Sequence, residues 1–111
     1  MSTISELESQ AEKFRSEGKV SEEIEALNKI VAEDETFVRA HLALAVAYYK
    51  AQDFDASVRH AERACQLEPD DAFNYTALSV TYQRAYAGTN DTTYIEKAES
   101  ARDLAHQVRG R

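Results

Sequence analysis

The stretch Val38–Asp71, VRAHLALAVAYYKAQDFDASVRHAERACQLEPDD, decides how the chain folds. It carries two apolar patterns at helical spacing: Ala40, Leu44, Ala47 and Tyr48, then Phe54, Val58, Ala61, Ala64 and Leu67. Between them lies Gln52-Asp53, with Asp53 placed to cap the second helix. Pro69 marks its end, because the residue before a proline is pushed out of helical geometry. The stretch predicts a helix–turn–helix hairpin.

The same grammar recurs one such length away in both directions, from Ile4 and from Ala72. Upstream stand Ile4, Leu7, Ala11 and Phe14, then Gly18, then Val20, Ile24, Leu27, Ile30 and Val31. Thr3 with Glu6 reads as a capping box, and Gly18 as a left-handed helix stop. Ser21 is the expected cap of the next helix, with Glu22 and Glu23 favouring its dipole. Downstream, Tyr75, Leu78, Ser79 and Tyr82 take the places of His41, Leu44, Ala45 and Tyr48, with Asp70 or Asp71 as the cap. One hairpin of this size cannot bury both faces, whereas about three stacked hairpins share a continuous core. Small residues such as Ala11, Ala45, Ala64, Ala98 and Ala105 let the helices approach closely.

The third unit is longer. Tyr48 to Ser57 is nine residues, but the matching step from Tyr82 to Ala98 is sixteen, an excess of seven around 86–93. Seven residues are close to two helical turns, so the apolar faces stay in phase. In AYAGTNDTTY (85–94), Gly88 is expected to end one helix and Thr93 with Glu96 to cap the next. The segment is either a longer turn packing Tyr86 against Tyr94, or a lip adding contacts to a partner. Its GTNDT lacks the Lys or Arg of a phosphate loop.

Leu44, Ala45, Tyr48, Phe54, Ala64 and Pro69 together resemble the tetratricopeptide repeats. Ser57 and Ala61 depart from that pattern. The first unit matches through Ala11, Phe14, Gly18 and Leu27, with Glu35 where Pro is usual. The third matches through Tyr75, Leu78, Tyr82, Ala98 and Ala105, with Arg102 at a usual aromatic position. The resemblance implies an all-α, right-handed solenoid of three hairpins and six helices in one domain. Its repeats are expected at about 4–37, 38–71 and 72–109.

Composition agrees. Three glycines and one proline in 111 residues suit an all-helical chain. Net charge is −7, placed as −6 over 1–36, −2 over 37–71 and +1 over 72–111. The acidic front argues against nucleic acid and anionic membranes as partners. No apolar run suits membrane insertion, no leader pattern opens the chain, and one cysteine points to a reducing, cytoplasmic setting. His41, His60 and His106 lack metal-site spacing, although His41 and His60 share a hairpin and can approach. Cys65 reads as a small apolar residue, and Glu22-Glu23-Glu25 as a solvated acidic run. No catalytic, cofactor or metal motif stands out, so no enzyme is expected.

The resemblance implies that the first helix of each repeat lines a concave groove. That places Arg39, Leu42, Val46, Tyr49 and Lys50 there with Phe73, Thr76, Val80, Gln83 and Arg84. Leu42, Val46, Tyr49, Phe73 and Val80 form an apolar strip edged by Arg39, Lys50 and Arg84. Glu8 and Glu12, with Ala43, stand where carboxylate-clamping relatives use Lys and Asn, which argues against a clamped C-terminal tail. The expected function is a protein-interaction scaffold that takes a peptide or helix. The alternative is a self-assembling subunit, a homo-oligomer joined through terminal repeats that no extra capping helix covers.

Overall fold

The first helix starts where Thr3 Oγ1 accepts the Glu6 backbone N–H at 3.1 Å and donates its proton to the Glu6 carboxylate at 3.1 Å. The computed structural model, which describes residues 2–111, continues from there as α1 (Ile4–Ser16), α2 (Val20–Glu33), α3 (Val38–Lys50), α4 (Phe54–Leu67), α5 (Ala72–Thr89) and α6 (Thr93–Arg109). Consecutive helices pack as a stack of hairpins, and α3 also packs on α5. None of the six is long and apolar enough to cross a membrane.

α1 and α3 stop in the same way. Lys19 N–H donates to the Phe14 carbonyl and Gly18 N–H to that of Arg15. In α3, Asp53 N–H reaches Tyr48 and Gln52 N–H reaches Tyr49. These paired bonds satisfy the last carbonyls and require a left-handed residue. Gly18 supplies it at φ 73°, whereas Gln52 holds φ 62° with a side chain attached. The first stop leaves Lys19, not Ser21, as the N-cap of α2, and no side chain caps that helix. Asp53 and Asp71 do cap α4 and α5, accepting the N–H of Ala56 and Phe73.

Two apolar clusters run through the stack. Leu7, Ala11, Leu27 and Ile30 meet Ala40, Leu44 and Ala47 in one. Ala45, Val58, Ala61 and Cys65 meet Leu78, Tyr82, Ala98 and Ala101 in the other. α3 belongs to both. Two tyrosines at equivalent places in successive hairpins tie the stack together: Tyr48 accepts from Asn28 at 3.1 Å, and Tyr82 donates to Glu62 at 2.6 Å. Asn28 and Glu62 are separated by the same interval as the two tyrosines.

The seven extra residues are helical. Five prolong α5 past Arg84, which stands in the place of Lys50, and two precede Ile95, in the place of Phe54. The connection 90–92 is as short as 51–53. Gly88 therefore does not end α5; Asn90 does, at φ 61°. The Asp91 carboxylate, rather than a Thr93–Glu96 box, receives the Thr93 N–H at 3.0 Å and its hydroxyl at 2.8 Å. Tyr94 stacks on Tyr82, ring centres 5.9 Å apart, instead of on Tyr86. Gly88 serves a close approach: a Cβ there would collide with the Phe54 ring.

Two stability measurements check this account. Gln52→Gly is expected to raise the unfolding free energy by about 0.5–1 kcal/mol, since left-handed backbone costs an L-residue roughly 1–2 kcal/mol. Gly88→Ala is expected to destabilise, although Ala gains about 1 kcal/mol of helix propensity over Gly. In a Phe54→Ala background the same change should stabilise. A denaturant series on the four proteins reads that reversal of sign.

Candidate functional site

The first helices α3 and α5 enclose a groove of about 270 Å³. The helical repeat brings Leu42 and Val46 of α3 to one wall and Phe73, Thr76, Val80 and Arg84 of α5 to the other, over Ala45 and Ala61. Phe73 is 65% exposed, and Val46 and Val80 are also open to solvent. Thr76 turns its hydroxyl back to the Ala72 carbonyl at 3.2 Å. The groove is thus almost free of hydrogen-bonding groups and holds apolar side chains that the core does not cover.

The other four expected residues lie elsewhere. Tyr49 and Lys50 line an adjoining cleft with Phe54, Ala87 and Gly88, and Arg84 belongs to both. The Arg84 guanidinium sits 4.5 Å from the centre of the Tyr49 ring, so it closes one end of the groove by a cation–π contact. Arg39 faces α1, where Glu8 accepts two hydrogen bonds of 3.1 Å from its guanidinium. Gln83 sits on the α6 side of α5, donating to Ser79 beside Tyr94 and Ala98. Position 83 lies about 60° round the helix from Val80, on the side opposite the inward Thr81, so it falls on the α6 edge of the groove face.

A second recess, about 370 Å³, opens between α1 and α3, whose backbones stay apart although Leu7 and Ala11 share an apolar cluster with Ala40 and Leu44. Glu8, Glu12, Arg15 and Arg39 rim it over Ala11, Leu27 and Ala43. Glu12 and Arg15 pair at 2.9 Å. Glu23 lines it too, only 4% exposed, so the acidic run at 22–25 is not wholly solvated. Its Oε1 has no hydrogen-bond partner among the described residues. Burial raises the Glu23 pKa, against the lowering charges of Lys50 and Arg15. The missed signal was the repeat itself: one unit further on, Glu23 corresponds to Ser57, a position where helices meet closely.

The histidines meet, as their hairpin allows. His41 Nδ1 and His60 Nδ1 are 3.0 Å apart, and His41 Nε2 lies 2.7 Å from the Glu35 carbonyl oxygen. A carbonyl only accepts, so His41 Nε2 carries hydrogen, and the two facing Nδ1 atoms hold a single hydrogen between them. The Tyr48 ring stacks on His60. The Glu35 carboxylate is forked onto Arg63 at 2.6 and 2.7 Å, and that hydrogen bonding lowers its pKa. Cys65 is buried, which pushes its thiol up to about 11, the reverse of an activated nucleophile.

Burial, with the charges of His41 and Arg59, pushes His60 down to about 4 from 6.5. The unfolded chain therefore binds the extra proton first, and the stability His60 contributes is lost as pH falls from about 6.5 through about 4. Unfolding measured across that window should show His60→Gln with a shallower acid loss than the wild type. Equal slopes would remove His60 as the cause.

Residues 38–71 match the model of the Tetratricopeptide repeat family. No curated protein matches the chain.

Proposed function

From the tetratricopeptide repeat carried by residues 38–71, we propose that this chain is a non-catalytic protein-interaction module. Such repeats generally mediate contacts between proteins. The hairpins at about 4–37 and 72–109 are read as further repeats of the same kind. The groove between α3 and α5 takes a peptide or an amphipathic helix from a protein partner. One observation carries this reading: Phe73 stands 65% exposed over a cavity walled by Leu42, Val46 and Val80. An aromatic ring beside open apolar walls is what a partner's apolar anchor buries against.

The test is a peptide library selected on the intact protein, with the selected sequences measured against variants. Covering an aromatic side chain is worth roughly 1.5–3 kcal/mol, so Phe73→Ala should weaken a groove ligand by about tenfold or more. Leu104→Ala, an exposed leucine on α6, should leave it unchanged. Ligands indifferent to Phe73→Ala and to Val46→Glu would remove the groove from the reading.

A further inference from the structure

The recess between α1 and α3 is more than a gap in packing. In the second hairpin the crossing of its two helices is made by Ala45 and Ser57, whose hydroxyl donates to the Ala45 carbonyl at 2.5 Å. In the third it is made by Ser79 and Ala98, with the hydroxyl donating to the Ala98 carbonyl at 2.8 Å. Both pairs are small residues that finish their own hydrogen bonding. In the first hairpin the corresponding residues are Ala11 and Glu23. A carboxylate thus stands where packing calls for a hydroxymethyl group or a methyl, nearly excluded from solvent and with Oε1 unpartnered among the described residues. Leaving such a group bare is costly, which marks it as an acceptor waiting for a donor.

The surrounding charges are already matched. From α1, Glu8 is taken by Arg39 and Glu12 by Arg15. Lys50 of α3 and Arg15 of α1 act on Glu23 only through their charge, without a hydrogen bond to it. Of the three carboxylates lining the recess, Glu23 alone has no guanidinium of the described residues on it. Ala11, Leu27, Ala40 and Ala43 line the same recess. Apolar lining beside a buried carboxylate, in a recess rimmed by charge, fits a side chain with a methylene stem and a cationic head.

We propose that this recess binds a lysine or arginine side chain of a protein partner, with Glu23 as the buried acceptor of its head group. The inference rests on the chain being an interaction module, and it adds a basic residue to the chemistry of the partner.

The probes are N-acetyl-arginine amide and N-acetyl-lysine amide, with N-acetyl-norleucine amide as the uncharged control. Each is titrated into the full chain while backbone amide shifts are followed by NMR. Shifts at Ala11, Glu23, Leu27 and Ala43 are expected with a basic probe and not with norleucine. Glu23→Gln should weaken the response at least about tenfold, the worth of one charge-assisted hydrogen bond. Glu23→Ser, which restores the residue type of position 57, provides a second variant if the glutamine form fails to fold. Shifts that persist in either variant, that appear equally with norleucine, or that are absent with both basic probes overturn the proposal. Phe73→Ala should leave these shifts intact, so failure of the apolar groove and failure of this recess are read separately.

Discussion

The close approach of paired helices is the constraint on which the rest of the structure depends. Ser57 and Ala45 bring α3 and α4 near enough for a hydroxyl to reach a carbonyl of the other helix, and Ser79 and Ala98 do the same for α5 and α6. Only small side chains permit this spacing. Each hairpin then presents its larger residues outward to the next one in a fixed register. Tyr48 and Tyr82 exploit that register, reaching back to Asn28 and Glu62 at equivalent points one repeat apart. The Tyr82 bond ends on a carboxylate and lies partly out of water, which makes it the stronger of the two.

α3 sits at the centre of this arrangement, and its two sides set the character of the two openings. Towards α5 it packs directly, leaving a shallow apolar groove above the contact. Towards α1 it stands off, and the interval is bridged by Arg39 and Glu8. Behind it, Glu35 takes the place that Pro69 holds in the next unit, fastening the α2–α3 connection by a fork to Arg63 and a carbonyl to His41. A rigid ring is replaced by three polar contacts, one of them to a residue whose neighbour, His60, titrates in mild acid.

Much of the fold was legible because helical periodicity and turn chemistry are local. The Thr3, Asp53 and Asp71 caps and the Gly18 stop follow from residue type and spacing alone. Ser21 and Gly88 misled for the same reason. Each resembled a boundary residue, but the closing bonds of α1 fixed Lys19 as the cap, and the Phe54 ring needed the missing Cβ of Gly88. At the groove, the family resemblance assigned Leu42, Val46, Phe73, Val80 and Arg84 to the lining, and they stand on its two walls. It did not foresee that Glu8 would draw Arg39 to the other side, because that depends on which helix stands opposite. Glu23 looked like one acid in a run; only superposing the repeats sets it against Ser57.

The lengthening of the third hairpin obeys a discrete rule. Seven residues amount to about 700° of helical turn, some 20° short of two full rotations, shared here as five on α5 and two on α6. The chain can therefore climb along α5, cross a three-residue link and descend α6 with Ala98, Ala101 and Ala105 still facing inward. Height in such a hairpin is thus available in steps, like rungs on a ladder, and the foundation does not register how many have been added.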